Sequence, residues 1–506
     1  MLEFENKKRN EMIETDLAKL VEKLQLENSQ LKLKIEQMTS DFANAVANAV
    51  KQATEPLLME IERLKAIINK DSSNSSKPPS TDGFKTIPNL REKSDKPSGG
   101  QKGHGGHRLL LPENIEELEK EGFVEKRIED HTNGEEEYIS KYKIDVETKV
   151  IITEYRYAKD AKLPEDLHNE VSYGNKLKAT VINLTNEGII AQRRLSGIIS
   201  EMTHGIINLS DATIENFQND FARKLEESGE LELIKQDVLN NKIMHVDDTS
   251  VKCTEKIIYS KNEEENIEPV YEKSKGKSLR VTIRTHSNEE STFYTVNPKK
   301  DNEGVVRDGI LPNFHGNLCH DHEKKFYGYG GAHGTCCQHL VRDLKGLTDL
   351  CGCAWAEKMR KYMLEMNNHK NEDIKKGIEK CEPKLLLAYE QEYDHLLDEG
   401  QEELKKLKKK QHGRAKFNAM LNRLTNYKDC YLLFMRDYEV PFTNNMAERD
   451  LRLEKTKQKV SGAFRSWNGV VTHVKIRSFL STIKKRGKNL LSSISKIISK
   501  EPVLSN

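Results

Sequence analysis

The sequence has few cysteines and little apolar continuity for a chain of 506 residues. None of its 8 cysteines precedes Cys253, which is too sparse a set for the disulfide framework of a secreted protein. No apolar run approaches the roughly 18 residues that a membrane-spanning helix needs. The N-terminal residues also lack the apolar core of a secretory signal. These absences predict reduced thiols, no membrane segment and a cytoplasmic protein.

Charge is distributed unevenly along the chain, although the formal net charge is only +1. Residues 449–500 carry 14 Lys+Arg against 2 acidic residues, a local balance of +12. Residues 112–170 carry 9 Lys+Arg against 18 Asp+Glu, a balance of −9. A basic end of this density favours a polyanionic partner, most simply nucleic acid. The alternative is a solvated helical face.

A heptad pattern occupies the start of the chain. The apolar residues that recur every seven positions are Leu17, Leu24, Leu31 and Met38. The alternate seam positions are Val21, Asn28 and Ile35. Leucine at one seam position, β-branched residues at the other and a single Asn are typical of a register-fixed parallel coiled coil. We therefore predict that residues 1–70 form a homodimer or a higher oligomer. The alternative is one amphipathic helix that packs on its own domain.

A Ser-, Pro- and Gly-rich segment at 71–111 interrupts this helical periodicity and reads as a flexible linker. Lys102 and Arg108 stand among its glycines and are predicted to contact DNA phosphates. His104 and His107 lack a nearby cysteine and are only a weak signal for a metal.

In the rest of the chain, sequence patterns typical of strands alternate with patterns typical of helices. Residues 135–158 have the composition of a β-hairpin. Residues 173–240 are helical, as a helix-turn-helix or a plain bundle, and Ser210 or Asp211 is the expected N-cap of one helix. Three strands, a helix around 303–311 and a further strand, "GNLCHD", indicate a mixed α/β sheet. The predicted segments after the linker are 112–172, 173–240, 241–345, 346–436 (a helical insertion), 437–486 and 487–506 (a C-terminal tail).

Three acidic residues are candidates for a metal site. Asp247 lies within the first predicted strand, Asp321 at the end of the fourth, and Glu448 in the first turns of a helix that starts near Asn444. A buried strand does not normally carry a charged residue unless that residue is paired or binds a metal. Each aspartate alone reads as a strand-end turn residue. Together with the glutamate, they can hold two hard cations about 4 Å apart for chemistry on a phosphodiester.

Several short motifs resemble, in order, those of transposases of the insertion sequence 66 family. The linker contains "SSNSSKPPSTDGF" and "GGQKGHGGH", and the strands contain "VDDTSV" and "GNLCHDHEKKFY". "CCQHLVR" places Cys336, His339 and Arg342 on a Cys-x-x-His-x-x-Arg segment. "NNMAERDLR" and "KVSGAFRS" follow the long helical stretch. The stretch "VDDTSV" corresponds to the family's first catalytic motif, and in it Asp248 takes the position where the family usually has glutamate.

The resemblance implies a multidomain α+β protein. Its parts would be an N-terminal coiled coil, a helical DNA-binding region and an RNase H-like α/β catalytic domain with a helical insertion. The family's DDE residues map onto Asp247, Asp321 and Glu448, with two Mg²⁺ (or Mn²⁺) as cofactors. The implied activity is cleavage at transposon ends and strand transfer into target DNA.

Other residues receive supporting roles. Arg449, Arg452 and Lys459 are predicted to neutralise DNA phosphates, and Asn444 and Asn445 to fix the start of the glutamate helix. Predicted partners are DNA and a second copy of the chain, with a need for accessory transposition proteins left open. The protein would associate with the nucleoid when bound to DNA.

This chain departs from the family in one respect, and two rival functions also stay open. The family commonly carries a small zinc element with paired cysteines after the Gly-rich segment, and this chain has no cysteine there. We therefore predict no structural zinc at that position. A second set could bind zinc, but its irregular spacing favours buried thiols: Cys336, Cys337, His339, Cys351 and Cys353. Two rival functions stay open: a metal-dependent nuclease of the same fold that does not join strands, and a non-catalytic DNA-binding relic.

Overall fold

The computed structural model describes residues 2–68, 111–131, 136–137, 139–164, 167, 169–261, 267–273, 279–408 and 411–504. Lys102, Arg108 and most of the predicted linker lie outside the described residues. The chain divides into two compact units. The first comprises Met1–Ile87 and Cys337–Lys428, and the second comprises Pro88–Cys336 and Asp429–Asn506.

The described helices precede and follow a block of strands. In chain order they are α1 (Leu2–Ile68), α2 (Ile115–Lys120), α3 (Asn175–Asn186), α4 (Gln192–Met202), α5 (Asp211–Glu227), α6 (Glu230–Leu239), α7 (Asn302–Asp308), α8 (Cys337–Cys351), α9 (Ala354–Lys375), α10 (Pro383–Lys406), α11 (Arg414–Asn426), α12 (Lys428–Arg436), α13 (Asn445–Ser461), α14 (Trp467–Lys485) and α15 (Leu490–Ile498). The strands are β1 (Ile243–Cys253), β2 (Glu255–Lys261), β3 (Ile267–Lys273), β4 (Leu279–Ser287), β5 (Thr292–Asn297), β6 (Asn317–His320) and β7 (His333–Thr335). No helix in the described part of the chain combines the length and apolar character that crossing a membrane requires.

In the first unit, α1 is one continuous helix that passes through Pro56. Its predicted seam is exposed in the single chain: Leu17 is 59% exposed and Leu31 57%. The helices α8 to α11 form a separate packed group around Trp355, whose ring stacks on Phe417 with the centroids 5.0 Å apart. The long helical stretch predicted between the second and third acidic residues is therefore present.

The second unit contains a five-stranded sheet in the order β5-β4-β1-β6-β7. β1, β4 and β5 pair antiparallel, whereas β6 and β7 run parallel to β1. The predicted succession of three antiparallel strands, a helix and a further strand matches β1, β4, β5, α7 and β6. The sequence patterns did not predict the β2–β3 hairpin or β7, and β7 has only three residues and so shows no alternation.

A helical core completes the second unit. The predicted helical region 173–240 forms α3 to α6, and the Ser210 hydroxyl accepts a hydrogen bond from the Thr213 amide as the N-cap of α5. Apolar residues of α3 and α5 share a core with Phe479 of α14 and Ile494 of α15. The C-terminal residues predicted to be a tail are thus a packed helix. The strong amphipathic pattern of "LLSSISKII" could have predicted this helix.

The predicted hairpin at 135–158 is not found, because the described residues of this range contain no strand. Its apolar side chains are exposed, with Val146 and Ile152 each 87% exposed. Alternation alone does not make a strand stable unless one face of the strand is buried. Two ion pairs join this segment to the residues before it: the Arg127 guanidinium donates to both carboxylate oxygens of Glu147, at 2.9 and 2.8 Å, and the Lys149 ammonium lies 3.5 Å from the Glu125 carboxylate.

Candidate active site

Asp247 and Asp248 lie on opposite faces of β1, because side chains alternate along a strand. Burial raises the pKa of Asp247 well above its usual range, and the neighbouring carboxylates of Asp321 and Glu448 raise it further. The groups with the largest effects on this pKa are all carboxylates or backbone, and none is a lysine or an arginine. The three predicted metal ligands therefore lie close enough to repel one another electrostatically.

Asp248, in contrast, is enclosed by cations. Its carboxylate lies 2.6 Å from the Lys325 ammonium, 3.0 Å from that of Lys300 and 3.3 Å from the Arg284 guanidinium. Although burial opposes ionisation, the hydrogen bond from Lys325 and the nearby charges lower its pKa. Arg284 also pairs with Asp308 of α7. The acid in the family's glutamate position is thus part of a buried ion network that fastens β1 to its neighbours.

Asp321 is held beside β1 by strand pairing. It follows β6 directly, and β6 runs parallel to β1 with Ile243 opposite Asn317. The same register, continued one residue past the end of β6, places Asp321 beside Asp247 in the middle of β1. The next residue, His322, has a φ of 60°. This left-handed conformation is uncommon for a residue other than glycine.

Asn444 joins these elements, but not in the predicted way. It occupies the N-cap position of α13, yet its side chain caps no backbone amide of the helix. Its fully buried amide instead donates to Oδ1 of Asp321 at 3.2 Å and to the Val246 carbonyl at 2.9 Å. Its oxygen lies 2.9 Å from Nδ1 of His245. Asn445, the other predicted support residue, is exposed.

Glu448 lies in the first turn of α13, where the helix dipole favours a carboxylate. Ligand atoms of Asp321, Cys336 and Glu448 all lie within 4.8 Å of one another. The Cys336 thiol donates a weak hydrogen bond of 4.0 Å to Oε1 of Glu448. Carboxylates that lie this close together suit a divalent cation such as Mg²⁺ or Mn²⁺.

Asp450, two residues after Glu448, anchors α13. Oδ2 of Asp450 accepts hydrogen bonds from Ser287 at 2.7 Å and Thr292 at 3.0 Å, and it lies 3.0 Å from the Lys485 ammonium. These contacts fasten α13 to β4, β5 and α14. Sequence reasoning missed both Asp450 and His245. The alternation of β1 places His245 on the face of Asp247, and this could have drawn attention to it.

The predicted phosphate-binding residues of α13 share one exposed side. Arg449, Arg452 and Lys459 are exposed, as is Lys455, and their spacing of three and four residues aligns them on the helix. Within the described residues none of the four forms an ion pair. Their charges are therefore available to a polyanion.

Comparison with known proteins identifies the family. The family model "Transposase IS66 family" matches residues 170–472, which is more than half of the chain. A family of unknown function (DUF6444) matches residues 8–109. No curated protein matches, and no solved structure does either. The matched range contains the sheet, the three carboxylates and the helical insertion, and the chain therefore belongs to the IS66 transposase family.

Proposed function

We propose that the chain is a DDE transposase, with an RNase H-like catalytic domain, that cuts DNA at transposon ends and joins those ends to target DNA. One observation carries the proposal: Asp247 on β1, Asp321 just after β6 and Glu448 on α13 are far apart in sequence, yet the strand register brings Asp321 beside Asp247, and ligand atoms of Asp321 and Glu448 lie within 4.8 Å of each other. The mixed sheet order and the family membership support it.

The carboxylates of Asp247, Asp321 and Glu448 are the groups that would hold divalent cations. Bound Mg²⁺ or Mn²⁺ would lower the pKa of a nucleophilic oxygen and offset charge on the leaving oxygen. The raised pKa of Asp247 fits this role, because it reflects burial first and then the negative charge of the neighbouring acids. Cys336 adds a softer ligand atom, which favours Mn²⁺ over Mg²⁺.

The reaction that we propose has two steps. Water attacks the phosphodiester at the transposon end and leaves a 3′-hydroxyl, and that hydroxyl then attacks a phosphodiester of the target. The chain's own contribution is positioning: Asn444 orients Asp321, and Asp450 fixes the helix that carries Glu448. Arg449, Arg452 and Lys459 would hold the phosphate backbone beside the acids.

The remaining segments would assemble the complex. The exposed seam of α1 would pair two copies of the chain, so that each copy brings one transposon end. Residues from about 70 to 220 would recognise the end sequence. The exposed Arg193 and Arg194 at the start of α4 are available for this contact.

The experiment that tests the proposal is a Mg²⁺-dependent cleavage and joining assay on labelled DNA that carries the element's own ends. It compares the wild type with Glu448→Gln. Glu439→Gln is the matched control, since Glu439 is exposed and pairs with the exposed Lys242 at 3.2 Å. We expect joined product from the wild type and the control, and none from Glu448→Gln.

Other outcomes select a rival function. Cleavage without joined product would identify a nuclease. DNA binding without cleavage by any of the three proteins would identify a non-catalytic relic, provided that adding accessory proteins does not restore activity.

A further inference from the structure

Two cysteines at the junction of α8 and α9 form a pair that the proposed transposition chemistry does not use. Cys351 ends α8, Cys353 is the N-cap residue of α9, and only Gly352 separates them. Gly352 has a φ of 62°, a left-handed conformation that suits glycine. The Cys351 thiol donates to the Leu347 carbonyl at 3.1 Å, and the Cys353 thiol lies close enough to interact with it.

The Cys353 thiol has no part in capping α9. The Glu403 carboxylate of α10 caps that helix instead, accepting from the Ala354 amide at 3.0 Å and the Trp355 amide at 2.9 Å. A thiol at an N-cap would otherwise compete for these amides. Glu403 thus satisfies the first two amides of α9, and the Cys353 thiol lies near the Ala356 amide and the Cys351 thiol.

The two thiols differ in access. Cys351 is partly exposed, whereas Cys353 is only 2% exposed. A small oxidant in solution therefore reaches Cys351 first. A reactive thiol with a buried second thiol beside it is the arrangement typical of redox-sensing cysteines.

We propose that Cys351 and Cys353 form a redox-active dithiol, in which Cys351 attacks a low-molecular-weight disulfide and Cys353 resolves the adduct. The Cys351 thiolate attacks one sulfur of the oxidant and releases the other as a thiolate. Cys353 then loses its proton to solvent and attacks the Cys351 sulfur, releasing the second thiolate. The protein gains one disulfide, and the oxidant becomes two thiols.

Electrostatics supports this order of events. The hydrogen bond from Cys353 lowers the pKa of the Cys351 thiol, while the same bond and burial raise the pKa of Cys353. Thiolate is the nucleophilic form of cysteine, so Cys351 attacks first.

The chain offers an internal control in Cys430. This thiol is also partly exposed, but burial raises its pKa to about 11, and the charges that act on it come from Asp429 and Arg436 rather than from a second thiol. Digestion with trypsin places the two sites in different peptides. The peptide Gly346–Lys358 contains Cys351 and Cys353 and no other cysteine, and Asp429–Arg436 contains only Cys430.

The test incubates the folded full-length protein with glutathione disulfide, quenches it with acid, and alkylates and digests it for mass spectrometry. We expect Gly346–Lys358 to lose two hydrogens and escape alkylation at least about tenfold faster than Cys430 forms a glutathione adduct. Dithiothreitol should restore both free thiols. A reaction of Cys430 at the same rate, or a wild-type reaction that stops at a glutathione adduct, would overturn the proposal.

Two variants assign the roles. Cys353→Ser should accumulate a stable glutathione adduct on Cys351, and Cys351→Ser should leave Cys353 unmodified over the same time. Circular dichroism establishes that both variants are folded. Modification of Cys353 in the folded Cys351→Ser protein at the wild-type rate would show that Cys351 is not the attacking thiol.

Discussion

The side-chain amide of Asn444 donates a hydrogen bond of 3.2 Å to the carboxylate of Asp321. The same fully buried amide contacts the backbone of β1 through Val246, one residue before Asp247. One neutral side chain therefore ties the strand of the first acid to the second acid and to the start of the helix that carries Glu448. Groups that orient metal ligands in this way commonly contribute about 10- to 100-fold to metal affinity or activity.

We expect Asn444→Ala to lower the rate of Mg²⁺-dependent DNA cleavage by about 10- to 100-fold and to raise the Mg²⁺ concentration needed for half of the maximal rate. The variant removes the donor that orients Asp321. Asn445→Ala is the matched control, because Asn445 is the exposed neighbour. Equal reductions in both variants would show that the amide of Asn444 has no special role.

Asp247→Asn should stabilise the protein in EDTA, because it removes a carboxylate whose charge is disfavoured by burial and by the carboxylates of Asp321 and Glu448. The wild type should regain stability with Mg²⁺, by about 2.7 kcal/mol at a concentration of 100 Kd, whereas the variant should respond weakly. Thermal unfolding with and without Mg²⁺ measures both effects.

Asp248→Asn is the contrasting variant for that experiment. It breaks a buried ion network and should cost about 3–5 kcal/mol with or without Mg²⁺. Destabilisation of the EDTA-treated protein by both substitutions would contradict the assignment of Asp247 as a carboxylate destabilised by its acidic neighbours.

Buried histidines should make the fold sensitive to mild acid. Burial lowers the pKa of His286 to about 3, so the unfolded chain binds a proton below about pH 6.5 that the folded chain does not. Stability therefore falls as the pH falls below about 6.5. His286→Leu should reduce this decrease between about pH 6.5 and pH 4 by up to about 3 kcal/mol. Urea unfolding across this range tests the slope, with the exposed His315→Gln as control.

The basic side of α13 should account for part of the salt dependence of DNA binding. Replacing Arg449, Arg452 and Lys459 together by Ala should lower the slope of log affinity against log salt by about 0.9 for each phosphate that the variant no longer neutralises. The control replaces the exposed Lys375, Lys376 and Lys380 and so removes the same charge from the first unit. Equal changes in slope would mean that only net charge matters.

The seam of α1 should hold the oligomer together. Leu24→Ala with Leu31→Ala removes two seam leucines, which are 53% and 57% exposed in the single chain. We expect sedimentation equilibrium of the full chain to show a shift to monomer. Leu26→Ala with Leu33→Ala is the control, since these leucines lie off the seam and are 62% and 66% exposed. Dissociation by the control pair alone would exclude the predicted register.

The succession of strands and helix along the chain, and the choice of the three acidic residues, were predicted from local sequence patterns. Alternating runs define β1, β4 and β5, and "NNMAERD" marks the helix that carries Glu448. The predicted hairpin at 135–158 failed because a strand needs a partner and a buried face, which alternation within one segment does not reveal. The predicted tail failed because α15 is stabilised by the core that it shares with α3 and α5.

The sequence alone establishes which residues can ionise, ligate or pair, because these properties belong to side chains and to local periodicity. How the chain uses those residues depends on its tertiary structure. Asp247 and Asp248 are chemically identical neighbours, yet strand alternation turns one toward other carboxylates and the other toward three cations. Asn444 has the sequence context of a helix cap, but because α13 packs against β1, its side-chain amide donates a hydrogen bond to Asp321 instead. The physical reason is that burial and charge pairing depend on contacts between segments distant in sequence.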